Sequence, residues 1–302
     1  MKYLLGALCA ILFAALLVVG CGKNDDDDDD SGTTKVFSGT FARWLYQLQN
    51  FDPAAAADTE FNFVVTDYSS DGTAAGEWSV EDIALIQDTS KVALAYLSIG
   101  EAEDYRFYWQ NSWASNPPDW LGPENPEWPG NYRVRYWMEG WQDIVYDYLD
   151  RIAAEGFDGA YLDIVDAYEY WYSENHDARQ NMIDFVMDLA HEMHEFHPGF
   201  MIFAQNAVML LGDEDYRAAI DGVGKEDTWY MDNTPRDQDD IDSDIAYMKL
   251  ALIAGKVVLV IDYCTEQDLI EDFYKKAREI KLIPYASTRE LDQLIIHPGL
   301  DD

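Results

Sequence analysis

Carboxylates recur where short apolar runs end in this sequence. Asp67 follows Asn62–Thr66, Glu101 and Glu103 follow Val92–Ser98, and Asp163 and Asp166 follow Gly159–Leu162. Glu226 and Asp227 follow Gly222–Gly224, and Asp262 and Tyr263 follow Val257–Ile261. Gln205 and Asn206 stand in the same place after Met201–Ala204, as do Tyr285 and Ser287 at the end of Leu282–Tyr285. Taken singly, each acid is accounted for as a helix N-cap or loop residue, and 58 acidic residues guarantee some coincidences. As a set they suit a pair of carboxylates on either side of a reacting bond. That is the equipment of glycoside hydrolysis: one carboxylate acts as nucleophile or base, and the other, with a raised pKa, protonates the leaving oxygen. The residues expected to line subsites around such a pair are Asp67, Glu101, Tyr105, Tyr136, Asp166, Asn206, Asp262 and Tyr285.

Other chemistries have weaker support. His191, His194 and His197 are spaced by three, as metal ligands can be, but none stands at a strand end, and a helix C-terminus suits them. Of the 3 cysteines, Cys9 and Cys21 belong to the N-terminal segment. Cys264 then stands alone, which leaves no intradomain disulfide and no cysteine-based zinc site. A buried structural role accounts for it, with a catalytic thiol as the rival. Neither a GxSxG elbow nor a Walker loop occurs. No metal and no cofactor is expected.

The elements needed to position the carboxylates alternate along the chain. Strands are expected at Trp44–Leu48, Asn62–Thr66, Val92–Ser98, Gly159–Leu162, Met201–Ala204, Gly222–Gly224, Val257–Ile261 and Leu282–Tyr285. Helical periodicity fills Val80–Gln87, Trp141–Glu155, Asn181–Phe196, Asp213–Ile220, Ile241–Ala254 and Leu269–Ile280. Val257–Ile261 is unbroken apolar sequence, the signature of a buried parallel strand. Eight such units in 302 residues predict a single (β/α)₈ TIM barrel of the α/β class. An open doubly wound sheet is the runner-up, but the Gly-rich phosphate loop it usually carries after the first strand is missing. In a barrel the strand ends converge on one face, so all the polar residues named above would meet there. The long insertion after the third strand, about 105–136, is rich in Trp and Tyr. Its rings could stack on sugars or form the private core of the loop.

Before the barrel, Lys2 and the apolar run Leu4–Val19 read as a signal segment, and Val18-Val19-Gly20-Cys21 resembles a lipobox in which Cys21 would be lipidated. Residues 1–20 are therefore assigned to a signal peptide, 21–38 to an acidic flexible tether containing Asp25–Asp30, and 39–302 to the barrel. An exported protein anchored to a bacterial envelope or surface follows, with the membrane as a partner through that lipid. The formal net charge of −38, from 20 Lys and Arg against 58 Asp and Glu, argues against a nucleic-acid partner. It permits a cationic ligand, and it also suits solubility alone. A monomer is expected.

Tyr96-Leu97-Ser98-Ile99-Gly100-Glu101-Ala102-Glu103 and Phe157-Asp158-Gly159-Ala160-Tyr161-Leu162-Asp163 resemble the endo-α-1,4-polygalactosaminidase family, glycoside hydrolase family 114. Supporting segments are 44–49, 64–69, 131–137, Gln205-Asn206 and Lys225-Glu226-Asp227, so the resemblance runs from about Trp44 to Ser287. It implies a (β/α)₈ barrel that cleaves α-1,4-linked galactosamine polymers with an Asp after the fourth strand and a Glu after the sixth. By motif these are Asp163 and Glu226, the latter with Asp227 beside it. The implied partner is a cationic amino-sugar polysaccharide, and retention of anomeric configuration is expected. A non-catalytic glycan-binding lipoprotein on the same barrel is the rival from another class.

Overall fold

The computed structural model describes residues 42–301 apart from Thr89. The signal segment, Cys21 and the acidic tether lie outside the described residues. Eight parallel strands form the barrel, in chain order Trp44–Tyr46, Phe63–Asp67, Val92–Ser98, Gly159–Asp163, Met201–Gln205, Gly222–Glu226, Val257–Asp262 and Ile283–Ala286. Each pairs with the next in register, as Ser98 with Asp163 and Ile261 with Glu226. The first and eighth strands meet without a ladder of their own among the described residues. Trp44 and Tyr285 instead pack edge to face across the seam, 6.1 Å between ring centres. Beyond the seam, Leu48 and Gln49 N–H groups donate to the Leu291 carbonyl at 2.9 and 3.1 Å.

Helices cover the outside for reasons visible in their sequences. Glu139–Ala154 buries Trp141, Val145, Tyr148, Leu149 and Ile152, one stripe of a 3.6-residue period. Val80–Gln87 starts at a capping box, in which Ser79 Oγ accepts from the Asp82 N–H and Asp82 Oδ2 accepts from the Ser79 N–H.

The strands differ from expectation at their ends. The first stops at Tyr46; the Gln47 N–H still donates to the Val65 carbonyl at 3.0 Å, and its side chain turns onto the Gln49 and Asn50 carbonyls. The second, fourth, fifth, sixth and seventh continue to Asp67, Asp163, Gln205, Glu226 and Asp262. These polar residues therefore belong to the rigid ladder and not to the loops beyond it. The insertion is also more ordered than a loop: Glu101–Glu103, Asn131–Val134 and Leu121–Glu124 form a small antiparallel sheet in that order. Trp109, Trp113, Trp120 and Trp141 contact one another in series at 5.1, 5.0 and 5.1 Å, so of the two readings these four follow the private core. Trp128, at 55% exposure, is the exception at the tip of this sheet.

Candidate active site

Asp163 ends the fourth strand and is buried. Its Oδ2 accepts from the Tyr96 hydroxyl and its Oδ1 from Gln205 Nε2, both at 2.8 Å. Glu226 ends the sixth strand and is half-buried. Its Oε2 accepts from Asn206 Nδ2 at 2.8 Å, and its Oε1 accepts from the Tyr263 hydroxyl. The Asn206 amide has only one sensible orientation, because its Oδ1 accepts from the Glu226 N–H at 3.1 Å. Burial first, and the Glu226 charge second, hold the Asp163 carboxyl well above its usual range. Asp163 thus keeps its proton to a higher pH than an isolated carboxyl would. Asp227 is held apart from this pair by Arg289, at 3.1 and 3.2 Å, so Glu226 and not its neighbour meets Asn206 and Tyr263.

The backbone is bent sharply just past these residues. Ile164, Asn206 and Asp227 directly follow the fourth, fifth and sixth strands, and all three are left-handed, with φ of 56°, 60° and 50°. A β-branched residue such as Ile164 rarely adopts this conformation, and strain of this kind marks chain held in place by its surroundings. Gly100 makes room for that bend: a Cβ there would lie 2.2 Å from the Ile164 carbonyl oxygen.

One cavity opens at Glu226 and a second adjoins it; Asp163 lines neither. The first, of about 270 Å³, is lined by Glu226, Asp166, Glu169, Asp227 and Asp244, with Lys225 and Arg236. Both cations are already engaged by Asp244, at 3.7 and 2.8 Å, which leaves the remaining surface strongly acidic. The other, of about 280 Å³, shares Asp166 and Glu169 with the first and adds Glu101, Arg133 and Tyr170. Among the expected subsite residues, Asp166 and Asn206 thus stand with Glu226, and Asp166 and Glu101 line the adjoining cavity. Asp67 is bound at 2.8 Å by Arg106, which also holds Glu103 at 2.6 Å. Tyr105, 43% exposed, donates its hydroxyl to the same Glu103.

The structure does not bring Asp67, Tyr105, Tyr136, Asp262 or Tyr285 to either cavity. Tyr136 is fully buried and donates to the Ala178 carbonyl at 2.7 Å. Asp262 is fully buried, and its carboxylate accepts from the N–H groups of Thr228, Trp229 and Tyr230 at 2.6, 2.9 and 2.9 Å, clamping the loop that follows Glu226. Burial outweighs those three donors and pushes its carboxyl up to about 7. Tyr285 packs in the barrel interior against Trp44 and Phe61. The rival nucleophile Cys264 is buried, which pushes its thiol up to about 12 and keeps it protonated. His194 and His197 contact Asp221 and Asp150 at the far ends of surface pairs.

Sequence reasoning overlooked Tyr96, Tyr161, Arg106 and Glu169. Tyr96 and Tyr161 were legible in principle, since each stands two residues before a strand-end polar residue and so shares its face. Tyr161 is fully buried, its hydroxyl has no hydrogen bond among the described residues, and both Asp163 and Glu226 act on it electrostatically.

A TIM barrel with two carboxylates at the C-terminal ends of strands two apart has the layout of a carboxylate-pair glycosidase. The chain belongs to glycoside-hydrolase family GH114, whose sequence model matches residues 27–300. An uncharacterised protein of Thermotoga maritima is 40% identical over 275 residues, 86% of this chain and 85% of that one. The glycoside hydrolase domain of PelA from Pseudomonas aeruginosa has the same fold, with a TM-score of 0.66 at 18% identity over 84% of this chain and 96% of that domain. So does Aspergillus fumigatus Ega3, solved in complex with galactosamine, with a TM-score of 0.65 at 16% identity over 87% and 98% of the two chains.

Proposed function

We propose that this glycosidase cleaves an amino-sugar polysaccharide, α-1,4-linked galactosamine in the first instance, with retention of configuration. The observation that carries the reading is that Asp163 and Glu226, at the ends of alternate strands, act on one another electrostatically, with Glu226 lining a cavity whose cations are spent and whose free carboxylates remain. An ammonium-bearing sugar would be attracted to such a cavity. The galactosamine bound by the fold neighbour Ega3 supports the same choice. Asp163 is placed to attack the anomeric carbon, and its two donors, Tyr96 and Gln205, stabilise the ionised carboxylate it needs against the burial that opposes it. Glu226 faces the cavity, where a leaving oxygen can take its proton, and the Tyr263 hydroxyl can either donate to the charged form or accept from the neutral one. Glu226 then serves as base for the water that releases the glycosyl-enzyme. We place the protein at a bacterial envelope through a lipid on Cys21, with no nucleic-acid partner and a monomeric state. The test is incubation of the purified protein with α-1,4-galactosamine polymer and with neutral glycans, with products read by mass spectrometry and the first-formed anomer by NMR. Release of galactosamine oligomers as the α-anomer is expected. Cleavage of neutral glycans alone would overturn the substrate, and a β-anomer would overturn retention.

A further inference from the structure

We infer that Arg289, on the segment after the eighth strand, is a positioning residue for the acid/base step: stacked on the Tyr263 ring, it holds and polarises the phenol that bonds Glu226. The inference rests on the reading of Glu226 as acid and base, and extends it outward by two side chains. Glu226 ends the sixth strand, Tyr263 directly follows the seventh, and Arg289 lies just past the eighth. Tyr263 is buried and donates its hydroxyl to Glu226 Oε1. The Arg289 guanidinium lies over the Tyr263 ring, 4.4 Å from its centre. Arg289 is anchored in turn: its Nη2 donates to both oxygens of Asp227, at 3.1 and 3.2 Å, and to Asp232 Oδ1 at 3.2 Å. Two carboxylates thus fix the cation over the ring, and the ring fixes the hydroxyl against Glu226. Of the tyrosines that carry a stacked cation among the described residues, Tyr263 alone bonds Asp163 or Glu226.

This arrangement has a use in a two-step reaction. Glu226 gives its proton to the leaving oxygen and takes one from water in the second step, so its charge changes twice in each turnover. The Tyr263 hydroxyl follows by rotating. It accepts from the protonated carboxyl, donates to the ionised one, and keeps its own proton throughout. A buried phenol does this only if its oxygen stays within reach of both forms, which requires a fixed ring. A cation on the ring face also draws electron density from the phenol, which makes its O–H the stronger donor when Glu226 is charged. The bond therefore strengthens as Glu226 gives up its proton, which is when strengthening lowers the barrier. A lysine could supply the charge but not the flat guanidinium that stacks on the ring while bonding two carboxylates. Arg289 also neutralises Asp227 beside Glu226, and Asp227→Asn separates that effect from the stacking.

Kinetics of the full-length protein on α-1,4-galactosamine polymer and on an aryl α-galactosaminide with an acidic leaving group test this. The variants are Arg289→Gln, Arg289→Lys, Tyr263→Phe, and Arg289→Gln combined with Tyr263→Phe or with Asp227→Asn. Arg289→Gln should lower kcat/KM on the polymer about tenfold, as expected for a lost cation–ring contact. On the aryl glycoside it should cost less than about twofold, since that leaving group departs without a proton. Arg289→Lys should lose an intermediate amount. Added to Tyr263→Phe, Arg289→Gln should cost less than about twofold more, and Asp227→Asn should not restore its loss. Equal losses on polymer and aryl glycoside, additive losses with Tyr263→Phe, or recovery with Asp227→Asn would each overturn the positioning role. A second readout needs no turnover. The Tyr263 phenol proton, identified in the NMR spectrum as the downfield signal missing from Tyr263→Phe, should move upfield in Arg289→Gln, and an unmoved signal overturns the hold on Tyr263. Failure of the catalytic reading shows separately: if that signal moves while Glu226→Gln loses equally on both substrates, the acid/base role of Glu226 falls and takes the catalytic use of Arg289 with it, while the hold on Tyr263 stands.

Discussion

Asp163 and Glu226 receive different hydrogen bonds, and the roles proposed for them predict different losses on substitution. Asp163→Asn keeps the acceptor for Gln205 but removes the nucleophile, so turnover should fall by at least about 10³-fold while polymer binding survives, checked by kinetics alongside an affinity measurement. Glu226→Gln should cost roughly 10²–10⁴-fold on polymer and recover substantially on an aryl glycoside whose leaving group departs without a proton. Equal losses on both substrates would remove Glu226 from the acid role. Tyr96→Phe deletes a donor to Asp163 Oδ2. That donor favours the ionised carboxylate, so its loss raises the Asp163 pKa further and should move the acid limb of the pH–rate profile to higher pH. Both candidates were legible as strand-end carboxylates, and only the family resemblance singled them out from the others that share the pattern. Their donors were less so: Tyr96 reads as one more apolar residue until the strand's alternation is followed inward. Asp262 and Tyr285 shared the strand-end pattern without the role. Their partners, three loop amides in one case and the Trp44 and Phe61 rings in the other, are distant in sequence and set by tertiary packing.

The sixth strand shows how an element can be built around a neighbour's side chain. A Cβ on Gly224 would lie 1.7 Å from the Tyr161 hydroxyl oxygen, so the glycine is the space in which that phenol stands beneath the two carboxylates. Gly224→Ala should therefore destabilise the protein by about 1–3 kcal/mol through overpacking, and the double variant with Tyr161→Phe should recover part of the loss, both read from urea midpoints. Additive losses would show that the two residues do not share this space. This crowding also explains why the sixth strand, Gly-Val-Gly-Lys-Glu, is faint in sequence while Val257–Asp262 is plain. Its propensity is poor, and it is held by its neighbours' ladders instead. The order and type of the barrel elements were legible from apolar periodicity. The small sheet within the insertion was not, because its pairing of Glu101 with Arg133 joins residues of opposite charge on short segments that carry no alternating pattern.

At the scale of the whole molecule, charge and burial set how the protein responds to its medium. Affinity for a polycationic polymer should fall as salt rises, whereas a neutral glycan should be nearly indifferent; a common slope would remove long-range attraction from the account. Glu155 is buried at the end of the helix Glu139–Ala154, with neither carboxyl oxygen hydrogen-bonded among the described residues. Burial first and Glu77 second push it from an ordinary 4.5 up to about 8, against the pull of Arg151. Because the folded value lies above the unfolded one, its contribution to stability is intact below about 4.5 and is lost as pH rises towards about 8. Glu155→Gln should flatten the fall in thermal midpoint across that range, measured by calorimetry at several pH values. The indoles of Trp109, Trp113, Trp120 and Trp141, each about 5 Å from the next, give the insertion a further property. Excited states on rings this close are shared between them, which splits their circular dichroism into a paired positive and negative band. Because Trp141 belongs to the helix Glu139–Ala154, that signature reports how the insertion sits against this helix.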